Sequence, residues 1–337
     1  MRGTDDLFTV QEAADFLRVH PETVRIWLRQ EKLHGSKLNR RAGWRISRRE
    51  LNLFVGSEAY LAAQTNRLPR ERVRTEGRAR VIGVFNQSGG VGKTTLTRDI
   101  GYALHMRGFR VLLVDCDPQA TLTIFAGFQP EDLQSTVYDA VLQKAALPIL
   151  SPWGLSMVPA NIGWAGAEVE IQRLPMGREK RLRVALEPYL ASYDFVFLDC
   201  PPSLGQISYN ALYASEELLI PVQAEYKGTM ATKYLFDTIS DVREYGNPEL
   251  EILGVVPTML GANTQSRMMY EALLDQLSPR IPVLAPVRRL VVFADASEKH
   301  LPVQMYRPEN RDAIDDISRV ADAVLGIVAR REVVASR

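Results

Sequence analysis

Five short runs in this sequence are apolar along almost their whole length: VIGVF (81–85), VLLVD (111–115), FVFLD (195–199), LLIPV (218–222) and ILGVV (252–256). A strand with one wet face alternates polar and apolar residues. A strand covered on both faces does not. Helical patterns separate most of these runs, so the expected fold is α/β, a mostly parallel sheet flanked by helices on both sides. Ligands of such sheets bind at the carboxyl ends of the strands. The residues that carry chemistry should therefore lie just after these runs.

After the first run comes NQSGGVGKTT (86–95). Backbone N–H groups of Gly89, Gly90, Val91, Gly92, Lys93, Thr94 and Thr95 are placed to curl around phosphates. Lys93 supplies charge to the β- and γ-phosphates, Thr94 offers a hydroxyl to Mg2+, and a helix opening near Lys93 directs its positive end at the anion. The general phosphate-loop pattern asks for glycine five residues before Gly92, where Gln87 stands. The strand before and the helix after restore the assignment. After the second run comes DCDPQA, with Asp115 and Asp117, and after the third DCPPSLG, with Asp199. A carboxylate at a buried strand end beside a phosphate loop suits Mg2+ held through water. Asp117 lies two residues further from its strand, where it is suited to orient or activate an attacking water. Thr94, Asp117 and Asp199 are the candidate metal residues, and ATP with Mg2+ the expected ligands.

The order GGVGKTT, VLLVDCDPQA, FVFLDCPPSLG, NALYASEELLIPVQAEY and ILGVVPTM resembles the ParA branch of the ParA/MinD ATPases over about residues 80–330. The resemblance implies a slow ATPase that forms a nucleotide-sandwich homodimer, binds DNA non-specifically and positions plasmid, chromosome or other cargo under control of a ParB-like or other stimulating partner. By position it makes Lys93, Asp117 and Asp199 the catalytic set and puts Pro257 and Met259 near the adenine. The family has lysine where this chain has Ser88, and that lysine reaches the partner's phosphates. Lys227, just after the LLIPV run and followed by Gly228, stands on the same sheet edge and is the candidate replacement. A second departure lies in VRRLVVFADAS, with Arg288 where proline is usual and Asp295 where glutamate is usual.

The first 80 residues hold 17 Lys and Arg against 10 Asp and Glu; the remainder holds 24 against 30. A basic end on an acidic chain points to an anionic partner. The same end carries FTVQEAADFLRVHPETVRIWLRQEKL, two short helical patterns broken at RVH, with Pro21 opening the second. GSKLNRRAGWRI follows as a basic wing. Residues 7–55 resemble the MerR and excisionase type of winged helix-turn-helix. Thr23, Arg25, Arg29, Arg40, Arg41 and Arg45 are its candidate DNA contacts, with Lys37 beside them. The expected division is a DNA-binding domain at 1–55, a linker at 56–79 and an ATPase domain at 80–337. Basic residues late in the chain, Arg243, Arg267, Arg288, Arg289 and Arg319, are candidates for a second DNA surface, with Arg267 and Arg289 preferred.

No apolar run approaches the roughly 18 residues that span a bilayer, and MRGTDDLFTV lacks a signal core. Two cysteines, Cys116 and Cys200, give no cluster or zinc pattern and suit a reducing compartment. A cytoplasmic, nucleoid-associated protein without a membrane partner is expected. The terminal ENRDAIDDISRVADAVLGIVARR is amphipathic, but its polar face mixes acids and bases, which suits packing better than membrane targeting. Two functions fit: a DNA partition or positioning ATPase, or an ATP-gated DNA-binding regulator with little hydrolysis. Asp117 and Asp199 favour the first, and Ser88 the second.

Overall fold

The computed structural model describes residues 7–17, 21–29, 33–37, 43–47, 50–51, 77–174, 176–224, 226–277 and 281–335. The chain divides into two units, residues 1–69 and nearly all of 70–337.

The first unit contains β1 (Leu7–Phe8), α1 (Val10–Leu17), α2 (Pro21–Arg29), β2 (Ser36–Lys37) and β3 (Trp44–Ser47). Thr9 and Glu12 start α1 with a reciprocal cap: Thr9 N donates to Glu12 Oε2 at 2.8 Å and Glu12 N to Thr9 Oγ1 at 3.2 Å. The helical stripe predicted from the sequence is the core: Ala13, Ala14, Val24, Trp27 and Leu28 are buried with Leu33, Ile46 and Leu51. The three strands form an antiparallel sheet in the order β1-β3-β2. Gly35 is required here, because a Cβ would stand 2.9 Å from Leu28 Cδ2 and 3.0 Å from the Arg45 carbonyl.

The second unit begins with β4 (Arg80–Val84), α3 (Lys93–Met106), β5 (Val111–Asp115), α4 (Thr121–Phe125), α5 (Val137–Gln143), β6 (Ser156–Val158), α6 (Trp164–Arg173), α7 (Arg181–Leu186) and β7 (Phe195–Asp199). It continues through α8 (Gln206–Ala214), β8 (Glu217–Gln223), α9 (Tyr226–Tyr245), β9 (Glu251–Thr258), α10 (Thr264–Leu277), α11 (Val291–Glu298), α12 (Val303–Tyr306) and α13 (Arg311–Ala335). Six strands pair in the order β6-β5-β7-β4-β8-β9, all parallel. The five apolar runs are five of these strands, and Val111–Asp115 and Phe195–Asp199 are buried at every position. The sixth, β6, has only three residues, SMV, too few to show a period. On α13, Ile317, Val320, Ala321, Val324 and Val328 are fully buried, so the apolar stripe packs inside this unit. Among the described residues, no helix is long and apolar enough to cross a membrane.

Chain order reverses around β4 and β7: β5 and β6 lie on one side, β8 and β9 on the other. The loops after β4, β5 and β7 therefore leave the same edge of the sheet side by side. That crevice is where a doubly wound sheet receives its ligand.

Candidate nucleotide site and nucleic-acid interface

The glycine loop leaves β4 through Asn86, which is buried and fixes the turn twice. Its Nδ2 donates to the Pro221 carbonyl of β8 at 2.6 Å, and its Oδ1 accepts from Ser88 N at 2.8 Å. Gln87 Nε2 donates to Thr238 Oγ1 on α9 at 2.7 Å. Gly90 and Gly92 have φ of 71° and 89°, a left-handed backbone that glycine adopts at little cost. A Cβ at Gly89, Gly90 or Gly92 would meet nothing within 4 Å. The loop is thus a concave run of N–H groups with open space before it.

Lys93 is the first residue of α3 and is only 7% exposed. Its Nζ donates to the Asn86 and Ser88 carbonyls, both at 2.9 Å. Burial holds this ammonium below the usual lysine range, and Asp199, Cys200 and Asp117 oppose that shift. Ser88 therefore contributes its backbone to the cradle.

The carboxylates lie opposite. Asp115 and Asp199 end neighbouring strands and are register partners. Asp115 is fully buried and accepts from Thr123 N (2.8 Å), Thr123 Oγ1 (2.7 Å) and Asp117 N (3.1 Å). Burial nevertheless pushes its carboxyl up to about 7. Asp199 is pushed well above the usual carboxylate range, by burial first and by Asp115 second, while the Thr94 hydroxyl pulls the other way. Its Oδ1 accepts from Thr97 Oγ1 at 3.4 Å, and its Oδ2 is buried without a hydrogen-bond partner among the described residues. A buried, unsatisfied carboxylate oxygen close to a threonine hydroxyl fits a hard cation that takes oxygen ligands. Asp117 is half-buried beyond the strand end, and its Oδ1 accepts from Gln119 N at 2.9 Å. Thr94, Asp117 and Asp199 are the residues that would hold or flank Mg2+.

Pro257 lies in β9 and is buried; Met259 follows it with φ of 54°. Thr258, between them, is the residue that touches the loop: its Oγ1 donates to the Val91 carbonyl at 2.9 Å. Sequence reasoning passed over Thr258 and Asn86, and named Asp115 only as a carboxylate at a strand end. All three act through hydrogen bonds to distant or backbone partners, for which a sequence holds no period. Cys116 and Cys200 are buried thiols outside any disulfide, raised by burial, so they are poor nucleophiles.

Lys227 lies in the first turn of α9, the helix that Gln87 contacts, but its side chain lies outside the description. In the first unit Arg25 and Arg29 are exposed on α2. Arg45, on β3, donates to the Trp44 carbonyl at 3.0 Å, and Lys37 Nζ sits 4.9 Å over the Trp44 ring. Thr23 is in α2 with its side chain undescribed, and Arg40, Arg41 and residues 52–76 of the expected linker lie outside the described residues.

The late arginines divide. Arg288 is not a free surface cation: it pairs with Asp312 at 3.1 Å and with buried Asp316 at 2.8 Å, which hold its guanidinium above the usual range. Arg319 also binds Asp316, and Arg243 Nε donates to the Leu250 carbonyl at 2.6 Å. Each of these three candidates for the second DNA surface is engaged by an oxygen of the protein. A buried carboxylate needs a cation more than the surface does. Arg267 is exposed beside Glu271 at 3.4 Å, and Arg289 NH2 lies 3.9 Å from Met259 Sδ.

Comparison with known proteins follows the same lines. Residues 79–252 match a family described as an AAA domain, and residues 7–58 one described as a helix-turn-helix domain. The sporulation initiation inhibitor protein Soj of Bacillus subtilis is 36% identical over 69% of this chain and 94% of its own length. A probable plasmid-partitioning protein ParA of Thermus thermophilus is 31% identical over 97% of this chain and 95% of its own, the N-terminal unit included. Among solved structures, cobyrinic acid a,c-diamide synthase from Mycobacterium smegmatis with bound ADP and magnesium superposes with a TM-score of 0.65 at 35% identity. It covers 77% of this chain and 97% of its own. MinD from Pyrococcus horikoshii, complexed with Mg-ADP, shares the fold at 24% identity and a TM-score of 0.61, over 73% of this chain and 96% of its own. With the phosphate cradle after β4 and the paired aspartates after β5 and β7, the chain belongs to the ParA/MinD family of P-loop ATPases and carries a helix-turn-helix domain at its N-terminus.

Proposed function

We propose that this protein is an ATP-dependent DNA partition or positioning ATPase. Residues 1–55 hold DNA, 56–79 form the tether, and 80–337 bind Mg·ATP, dimerise on it and hydrolyse it slowly under a ParB-like or other stimulating partner. It works in the cytoplasm at the nucleoid. The observation that carries the nucleotide reading is the open glycine cradle beside a buried Asp199 oxygen that has no hydrogen-bond partner among the described residues. Lys93 donates to two loop carbonyls, which places its ammonium within the loop where ATP's phosphates would sit in this reading. The loop N–H groups bind the β-phosphate side, Asp117 orients water, and Thr94 and Asp199 hold the cation. Mg2+, when bound, neutralises charge on the phosphates. Pro257 and Met259 border the adenine in this reading, and Thr258 ties that border to the loop. Thr258→Val should weaken ATP binding about 2- to 10-fold, the loss of one hydrogen bond, measured by titration calorimetry. An unchanged affinity would show that the tie is idle.

Ser88 keeps a second reading in view, an ATP-gated DNA-binding regulator with little hydrolysis. A neutral, short side chain cannot carry charge across a dimer. Loss of such a cation can cost roughly 10³–10⁵ in rate. In the ATPase reading Lys227, in the first turn of a helix braced on the loop through Gln87, supplies it from the partner. Steady-state turnover with and without DNA tests this. Ser88→Lys should raise turnover, and Lys227→Ala should lower it at least tenfold. Turnover at background in the parent chain, restored by neither DNA nor Ser88→Lys, would favour the regulator. Turnover that survives Lys227→Ala would remove Lys227 from the reaction.

A further inference from the structure

α4 follows directly on DCDPQA, with Asp115 and Asp117, and has only five residues. A helix this short is not stable by itself, so what it packs against sets its place. One part of it is held at the sheet. Thr123 gives its N–H and hydroxyl to Asp115, and its Oγ1 accepts from Ala160 N at 3.0 Å. The far end is held from another part of the chain: His300 Nδ1 stands 2.8 Å from the Ile124 carbonyl. A carbonyl only accepts, so Nδ1 carries the proton.

His300 keeps this bond on a backbone that disfavours a side chain. It follows α11 with φ of 57°. Its N donates to the Ser297 carbonyl and Leu301 N to the Ala296 carbonyl, both at 3.0 Å. This is the left-handed residue that ends a helix, where glycine or asparagine is usual. Among the described residues, five other than glycine have a left-handed φ, and three of them belong to one chain around α4. Ala120 leads into α4, His300 bonds its end, and buried Trp153 donates Nε1 to the His300 carbonyl at 2.8 Å. Such backbone persists where its surroundings over-determine it.

The turn that carries His300 is anchored on α3, the helix of the phosphate loop, from both sides. Before His300, Ser297 Oγ accepts from Arg98 NH1 at 2.8 Å. After it, Val303 N donates to Asp99 Oδ1 at 3.1 Å and Gln304 Nε2 to the Asp99 carbonyl at 2.8 Å. Arg98 and Asp99 are fully buried and paired twice, Nε to Oδ1 at 2.8 Å and NH2 to Oδ2 at 3.0 Å. A buried ion pair is tolerated when further hydrogen bonds satisfy it, and it then holds its partners in one geometry. The Arg98 guanidinium also lies 5.5 Å over the ring of Phe125, which ends α4. Contacts thus run from α3 through residues 297–303 to α4 and back to α3.

We propose that His300 is a positioning residue for hydrolysis: through α4 it fixes the Asp117 loop against the helix of the phosphate loop. The inference rests on the ATPase reading above. A reacting group displaced by about 1 Å can lose 10²-fold in rate. The cradle that binds the phosphates is built separately, on Asn86 and Gln87, so the loss should fall on turnover and spare affinity.

The test compares His300→Gly with His300→Asn in the full chain. Both residues fit the left-handed backbone, and both leave the carbonyl that Trp153 binds. Asparagine Nδ2 stands where histidine Nδ1 does and restores the bond to Ile124; glycine has no donor there. In His300→Gly, kcat should fall about tenfold with KM for ATP within about twofold of the parent, and His300→Asn should recover the parental kcat. Hydrogen–deuterium exchange with Mg·ATP should run about fivefold faster over residues 121–127 in His300→Gly and at the parental rate in His300→Asn. Parental kcat in His300→Gly, or His300→Asn as slow as His300→Gly, would overturn the proposal. So would a rise in KM as large as the fall in kcat, which marks general damage to the site. Turnover at background in the parent sinks the ATPase reading instead, and exchange then decides. Parental exchange over 121–127 in His300→Gly overturns the link through α4; faster exchange that asparagine reverses supports it.

Discussion

Lys93→Met is expected to lower ATP turnover by about 10²–10³-fold, the cost of removing one preorganised donor to transition-state charge, while the nucleotide-free protein melts no lower than the parent. The two halves have one cause. Lys93 is 7% exposed and holds its charge against burial, with only two carbonyls as direct partners. A buried cation carries a desolvation penalty of several kcal/mol that neutral partners offset only in part. Methionine keeps the apolar stem and removes that penalty; it leaves two loop carbonyls without a donor, of which Ser88 lies on the half-exposed part of the loop. The charge is therefore held for a ligand and does little for the fold. Thermal melts with and without Mg·ATP check this. The parent should be stabilised by the nucleotide and Lys93→Met should not. A ligand-induced shift equal to the parent's would sink the assignment of Lys93 to the phosphates.

Asp199→Asn should be the second large effect, cutting metal-dependent turnover at least a hundredfold and flattening the pH dependence of stability. Asp115 is raised to about 7 and Asp199 well above its ordinary value, both by burial first; Asp117 adds to the rise of Asp115, and Asp115 to that of Asp199. A carboxyl raised on folding keeps a proton that the unfolded chain releases. Its stabilising contribution is complete below the unfolded value near 4 and declines as pH rises from there through the folded value. The nucleotide-free parent should thus lose stability steadily between pH 5 and 8. Asparagine at 199 takes one of the two raised carboxyls out of the titration, so the slope shrinks. Melting curves from pH 5 to 8 measure it. A parental slope in Asp199→Asn would mean that the Asp199 carboxyl does not contribute to the pH dependence. Mg·ATP should reduce the slope in the parent, since a cation beside Asp199 favours its charged form.

Much of the site was legible in the linear chain because its parts are local. The loop needs glycine at 90 and 92, a lysine at 93 and a hydroxyl at 94, all within one turn of backbone and helix. Asp117 and Asp199 announce themselves by standing at or just past the ends of apolar strands. The buried stripe of α1 and α2 was equally plain, from Ala13 to Leu28 at helical spacing. β6 was not, because three residues carry no period. Thr258 was overlooked between Pro257 and Met259, since its value lies in one bond to Val91, 167 residues away.

Charge was where the chain misled most. Arg288 looks like a free cation in sequence, and only the fold brings Asp316 to it, 28 residues away; Arg319 meets the same carboxylate three residues off on α13. Likewise only the fold shows that Asn210 of α8 bonds the Arg178 carbonyl, 32 residues away. The amino-acid sequence alone determined the parallel sheet, the phosphate loop and the helix-turn-helix, because burial period, glycine spacing and capping act over a few residues. Which ionic groups are satisfied inside the protein and which remain for a ligand was decided by the tertiary structure, because electrostatic partners are chosen by distance in space.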